Sequence, residues 1–270
     1  MTRDFDFYIV PTPIGNIQDI TVRAVEVLKY VDLIACEDTR TTQKLLNHYN
    51  IKTKSISYHK YNEKERLDFF LKELSEGKKI ALVSDAGTPM ICDPGAVILP
   101  RIIENGYSVT SLPGACAVTT FLSQIPRNSE EFFFIGFIPR TENQIKNIIT
   151  KYSTQNIVFY DSPERILTTL QIIKKHRGEI KTALGRELSK LYEEVIIDTP
   201  SKLIEYFEHG IKGEIVCMIY ADSNADLSEM NNKINILKSK GFKNKEISII
   251  LSALFDYNKN DIYQSAISND

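Results

Sequence analysis

Few of the features that settle a protein's class at a glance are present in this sequence. Its 270 residues hold only 4 cysteines. Cys36, Cys92, Cys116 and Cys217 form no CxxC pair and no histidine joins them at ligand spacing, which excludes a disulfide framework and a structural zinc site. They read as reduced, mostly buried thiols. No apolar run approaches the length of a membrane span. The opening residues Met1-Thr2-Arg3-Asp4-Phe5-Asp6 lack the basic and apolar segments of a secretion signal, so the expected location is the cytoplasm. Neither sign of charge dominates, because 33 Lys and Arg face 35 Asp and Glu for a net −2. A nucleic-acid partner would therefore have to be met by a local basic patch. There is no solenoid repeat, no low-complexity tract, no GxGxxG and no Walker loop.

What is present is an ordinary globular composition, 43% hydrophobic and 25% charged, with enough chain for two domains and a small appendage. Short apolar runs alternate with amphipathic stretches, the pattern of a mostly parallel sheet covered by helices. The first set of predicted strands is 7–10, 32–36, 54–58, 80–84 and 107–112. Between the third and fourth, Asn62 can cap a helix with Glu65 at the capping-box position and Leu67, Phe70, Leu71 and Leu74 in one stripe, closed by Gly77. A second set, 132–137, 156–160, 181–186 and 214–220, follows Pro126, with a helix over 164–176. The two sets join near Leu112-Pro113-Gly114. From about Ala225 apolar residues recur only at helical spacing: Leu227, Met230, Ile234 and Leu237, then Ile247, Ile250, Leu251 and Leu254. Asp226 with Glu229 has the form of a capping box, and Gly241 ends the first of these helices. The stretch 233–245 carries Lys233, Lys238, Lys240, Lys243 and Lys245 with no acid, which suits either a solvated face or a nucleic-acid contact.

Several polar segments fall just after predicted strands, where α/β proteins bind ligands. Pro11-Thr12-Pro13-Ile14-Gly15-Asn16 forms a stiff turn that a ligand can approach closely, without the nest of amides a pyrophosphate needs. Ser84-Asp85-Ala86-Gly87-Thr88-Pro89 offers a carboxylate, hydroxyls and backbone access, the needs of a ribose or an amino-acid group. Leu112-Pro113-Gly114-Ala115-Cys116-Ala117 supplies small residues. In the second half, 159–165 and 185–190 place polar groups after apolar strands, so the two halves point to a cleft between them. Glu37-Asp38-Thr39-Arg40 and the segment around His59 lie at the same sheet edge. Glu37 and Asp38 suit either the substrate side or the cap of a helix over 39–48, and His59 suits either a base or plain exposure.

Taken together and in this order, Ile9 to Asn16, Glu37-Asp38-Thr39-Arg40, Val83 to Pro89, Pro113-Gly114, Phe159 to Pro163 and Arg186-Glu187-Leu188 resemble the tetrapyrrole-methylase-like superfamily. Within it they are most similar to the branch that methylates the ribose 2′-hydroxyl of a cytidine in 16S ribosomal RNA. The likeness runs from Phe7 to about Tyr220, and the helical tail is similar to that branch's extension. Three segments depart from its pattern: Pro113-Gly114-Ala115-Cys116 for Pro-Gly-Pro-Ser, Asp161-Ser162-Pro163-Glu164 for Glu-Ser-Pro-His, and Lys60-Tyr61 for Glu-His.

The resemblance implies two α/β domains, 1–114 and 115–224, with a cofactor cleft between them, plus a small Lys-rich helical extension, 225–270. It implies a homodimer that binds S-adenosylmethionine and no metal, and acts on the small ribosomal subunit or its 16S RNA. Cofactor contacts would fall on Pro13, Asp85, Gly87, Thr88, Ala115, Cys116, Asp161 and Leu188. Glu37, Asp38, Arg40 and His59 would face substrate, with His59, Glu37 or Asp85 taking the hydroxyl proton, and Lys238, Lys240 and Lys243 would contact RNA. The rival expectations are a tetrapyrrole C-methyltransferase and a non-catalytic RNA-binding protein of the same fold. The lysine-rich tail and the Glu37-Asp38-Thr39-Arg40 cluster speak against the first, and cofactor affinity would exclude the second.

Overall fold

Strands that are buried on both faces must be apolar at every position, and the runs Phe7–Ile9, Leu33–Cys36 and Ile80–Val83 meet that condition. In the computed structural model, β1 (Phe7–Ile9), β2 (Leu33–Cys36), β3 (Lys54–Ser57), β4 (Ile80–Val83) and β5 (Val109–Ser111) form one parallel sheet in the order β3-β2-β4-β1-β5. The structure describes residues 4–127, 129–222, 225–255 and 257–268, with 225–229 described by backbone alone. Successive residues of β1 point to opposite faces. Tyr8, Ile34 and Ala81 pack with Ala24 and Leu28 of α1 (Val22–Tyr30) and Leu46 of α2 (Thr39–His48). Phe7, Ile9, Leu33 and Leu82 pack with Phe70 and Leu74 of α3 (Glu63–Ser75) and with Ile98 and Ile102 of α4 (Ile98–Glu104). Because every strand of a parallel sheet runs the same way, all the loops after them gather at one edge.

The second half begins with α5 (Ala117–Gln124), followed by β6 (Phe132–Phe137), α6 (Glu142–Lys151), β7 (Asn156–Asp161), α7 (Ile166–Arg177), β8 (Thr182–Arg186), β9 (Glu194–Asp198), α8 (Pro200–Tyr206) and β10 (Ile215–Ile219). Its sheet runs β6-β7-β10-β8-β9, and only β6 with β7 is parallel. The expected parallel arrangement therefore holds for the first sheet and not the second. Strand β9 is an addition to the predicted set. The seven residues joining β8 to β9 are too few for a crossover, so that pair has to be antiparallel. Helices α6, α7 and α8 cover one face through Ile149, Leu170, Ile173 and Leu203, and α5 covers the other through Val118, Phe121 and Leu122.

The tail folds as three helices, α9 (Ala225–Ser239), α10 (Asn244–Leu254) and α11 (Lys259–Ser268), around Met230, Ile234, Ile247, Leu251, Ile262 and Ala266. The third helix was not foreseen, and Leu254 of the predicted stripe is 71% exposed. The capping box expected from Asp226 and Glu229, and the stripe position Leu227, lie outside the described side chains. Asn62 does stand at the N-cap of α3, but its side chain makes no cap bond. It turns back instead to accept from the His59 N–H (2.8 Å) and donate to the Ser57 carbonyl (3.2 Å). Among the described residues, no helix is long and apolar enough to cross a membrane.

Candidate functional site

The turn after β1 and the loop after β4 are stitched into one unit. The Thr12 and Gly87 backbones exchange two hydrogen bonds of 2.9 Å, and the Thr12 hydroxyl donates to the Ser84 carbonyl at 3.0 Å. Gly87 has φ +81°, a left-handed backbone in which any larger residue is strained. The Thr88 hydroxyl ties this loop to the junction by donating to the Ala115 carbonyl at 2.9 Å. Gly114 completes the unit, since a Cβ there would sit 2.5 Å from Cβ of Pro11.

Loops of the second half close over this edge. The Asn16 N–H donates to the Ser189 hydroxyl, which in turn bonds the Asp19 carboxylate. Gly15 lies so near Leu188 and Lys190 that a side chain there would strike both. Between the halves is a cleft of about 420 Å³. Its first-half wall includes Ile14, Asp85, Gly87, Thr88, Cys92 and Asp93, and its second-half wall includes Cys116, Phe137, Tyr160, Leu188 and Val216. Apolar walls with a few convergent polar groups are what a nucleoside-sized ligand requires.

Six of the eight residues expected at a cofactor line this cleft: Asp85, Gly87, Thr88, Cys116, Asp161 and Leu188. Pro13 and Ala115 do not; Pro13 precedes the lining Ile14, and Ala115 gives its carbonyl to Thr88. The Asp161 carboxylate is withdrawn from the cleft. Its side chain is fully buried and accepts from the Ser162 N–H (2.9 Å) and the Thr169 hydroxyl (2.5 Å), so it braces the loop rather than meeting a ligand.

The acids at the sheet edge perturb one another. Burial raises the carboxyl pKa of Asp85, as the nearby Asp38 charge does, partly offset by the Asp38 N–H that donates to it at 3.1 Å. Burial raises Glu37 as well, reinforced by the charges of Asp85 and Asp93, with Lys60 and His59 pulling the other way. Asp93 is raised by burial and lowered by the Ser84 hydroxyl and Lys60. Of the proton-acceptor candidates, Asp85 lines the cleft, while Glu37 and His59 are not among its lining residues. The His59 Nδ1 is buried without a partner.

Asp38 and Arg40 are engaged with each other. The Asp38 carboxylate caps α2 through the Arg40 N–H (2.8 Å) and grips the guanidinium at 2.7 Å, and Arg40 holds its pKa down to about 2. The alternative of a helix cap is thus realised at Asp38, while Arg40 remains 88% exposed. Lys238 does not extend to solvent as a phosphate ligand would, because its Nζ donates to the Ala266 carbonyl. Lys233 lies over the Phe255 ring at 3.7 Å, and Lys240 and Lys243 are exposed. Among the described residues, no group of His, Cys, Asp and Glu is arranged to hold a metal ion.

The residues that sequence reasoning missed are Ile14, Ile91, Cys92, Asp93, Phe137 and the 213–216 segment. Asp93-Pro94-Gly95 carried a usable signal, an acid in a turn immediately after the polar β4 loop. Gly95 there, at φ +135°, donates its N–H to Glu63 at 2.7 Å.

Residues 6–204 match the family model described as Tetrapyrrole (Corrin/Porphyrin) Methylases. The ribosomal RNA small subunit methyltransferase I of Haemophilus influenzae is 38% identical, over 97% of this chain and 96% of its own. The protein of that name from Bacillus subtilis is 41% identical over 82% and 77%. Among solved structures, a cobalt precorrin-4 methyltransferase superposes with a TM-score of 0.59 at 15% identity, over 80% of this chain and 95% of its own. A diphthine synthase superposes at 0.62 and 14% identity, over 79% and 89%. At such identities the two structures speak for the fold alone.

Proposed function

Because this chain belongs to the tetrapyrrole methylase family and, within it, to the ribosomal RNA small subunit methyltransferase I group, we propose that it methylates the ribose 2′-hydroxyl of a cytidine in 16S ribosomal RNA, with S-adenosylmethionine as the donor. The observation that carries the cofactor half of this reading is the cleft itself. Its 420 Å³ lie within the range of about 300–1,000 Å³ of small-molecule sites. Ile14, Leu188 and Val216 offer an apolar seat for a purine, Asp85 an acceptor for a hydroxyl or ammonium, and Gly87 a backbone that can be closely approached. S-adenosylmethionine would supply a methyl group activated on a sulfonium.

The chain's own contribution is then to hold the acceptor hydroxyl in line and take its proton. Asp93 lines the cleft, and burial gives its carboxylate a raised proton affinity, so it is the residue we assign to that proton; Glu37 and Asp85 keep the surroundings acidic. The RNA half of the reading is supported by the relatives' name and by exposed Lys240, Lys243 and Lys245 on the tail. The reading divides the chain at 114 and 224 and includes a cytoplasmic homodimer. Phe132, 43% exposed on edge strand β6, is a fitting surface for a second copy.

The test separates binding from turnover. Asp85→Ala weakens S-adenosylmethionine binding measured by calorimetry, and normal affinity there contradicts the cleft assignment. Asp93→Asn leaves that affinity intact and lowers kcat by about 100-fold, within the range for a positioned proton acceptor. Unchanged turnover would remove Asp93 from the role.

A further inference from the structure

Tyr61 is 95% exposed, the most exposed of the large apolar and aromatic side chains described, and it lies outside the cleft lining. An exposed aromatic ring presents a large, rigid amphipathic face to whatever approaches the cleft. The turn that carries it is closed by the Asn62 N–H donating to the His59 carbonyl at 2.9 Å, and by the Asn62 side chain bridging His59 and Ser57. Among the described residues the one ring contact of Tyr61 is with His59, at 6.0 Å between centroids and 65° between ring planes. The neighbouring Lys60 fixes the turn to the cleft's rim, donating from Nζ to the carbonyl of the lining residue Cys92 at 3.3 Å. Lys64, the second residue of α3, is exposed.

An exposed aromatic ring on a hydrogen-bonded turn tied to the cleft's rim, with the exposed Lys64 three residues on, suits the stacking of a base of single-stranded nucleic acid while a phosphate meets the lysine. We propose that Tyr61 is a stacking platform for a nucleobase of the RNA strand at the cleft mouth, positioning the target ribose. The inference rests on the RNA-methylation reading above and names a residue that sets substrate affinity in it. Lys60 is anchored to the protein, so the ring and not the charge is the element expected to matter most.

The experiment compares wild type with Tyr61→Ala, Tyr61→Leu and Tyr61→Phe on unmodified small ribosomal subunits and labelled S-adenosylmethionine. A base stacked on an aromatic side chain accounts for about 5- to 100-fold in affinity. Tyr61→Ala and Tyr61→Leu should raise KM for the subunits within that range, with kcat at saturation and S-adenosylmethionine affinity unchanged; Tyr61→Phe should restore KM. The sequence has no tryptophan, so Tyr61→Trp introduces the sole indole, and its fluorescence should be quenched on adding unmodified 16S RNA. A wild-type KM in Tyr61→Ala, or in Tyr61→Leu, overturns the proposal, as does a tryptophan signal unaffected by RNA in an active protein. A change of oligomeric state in Tyr61→Ala would also overturn it, assigning the ring to a protein contact. Absence of methylation by the wild type strikes instead at the reading on which the proposal rests.

Discussion

Glu37, Asp85 and Asp93 are acids that the fold makes harder to ionise, and this has consequences for rate and for stability. A proton acceptor must be ionised, so the rate falls as pH falls through its pKa. With burial raising Asp93, that acid limb should lie above the ordinary carboxylate value of 3.8, and Asp93→Asn should abolish it together with most of the rate. Stability has the opposite sign. A carboxyl whose pKa is higher folded than unfolded adds stability below its unfolded pKa, and that stability is lost as pH rises through the folded value. Glu37→Gln, which removes a charge held against Asp85 and Asp93, should therefore raise Tm at neutral pH, and the gain should vanish below pH 4.5, the ordinary value for this residue type. An equal gain at all pH values would show that the carboxylates do not oppose each other. At this scale the sequence displayed Asp85 and Glu37 through their place after strands. It showed Asp93 only weakly, as an acid before Pro94-Gly95, because Asp93 follows β4 by ten residues.

Elements set the precision of the site. The Pro11 turn, the β4 loop and the junction are locked by contacts that leave no room for added atoms, as Gly114 against Pro11 shows. Gly114→Ala should cost about 1–3 kcal/mol by overpacking and weaken S-adenosylmethionine binding, because the turn carrying Ile14 must move. Chemical denaturation and calorimetry on the one variant check both. Asp161 works at the same level: Asp161→Ala strips the Ser162 N–H and the Thr169 hydroxyl of a buried acceptor and should destabilise by about 1–3 kcal/mol, while Asp161→Asn should cost less. The three central strands of the first sheet, β2, β4 and β1, were legible because doubly buried strands write themselves as apolar runs. Strand β9 was not, since its residues are all half-buried and its sequence Glu194-Val195-Ile196-Ile197-Asp198 is bounded by acids. Cys116 and Leu188 line the cleft, as does Asp161, whose carboxylate is held by the Ser162 N–H and the Thr169 hydroxyl. Local pattern does not tell whether a carboxylate turns toward a ligand or toward a neighbouring hydroxyl.

Taken as a whole, the molecule is two sheets that share a cleft and a three-helix tail with its own core. The tail's Lys240, Lys243 and Lys245 are exposed while Lys233 and Lys238 are bound within the unit, so fewer lysines face solvent than the charge run implied. Ending the chain after Asp222 should leave S-adenosylmethionine binding intact and weaken RNA binding. It should also reduce the slope of log affinity against log salt by about 2–3, as expected for three phosphate contacts; an unaltered slope would place the RNA elsewhere. The most direct test of the whole account is methyl transfer from labelled S-adenosylmethionine to unmodified small ribosomal subunits, followed by nucleoside mass spectrometry. The account predicts one new 2′-O-methylcytidine and no base-methylated product. Label on a base, or none on the RNA while the cofactor binds, would contradict it.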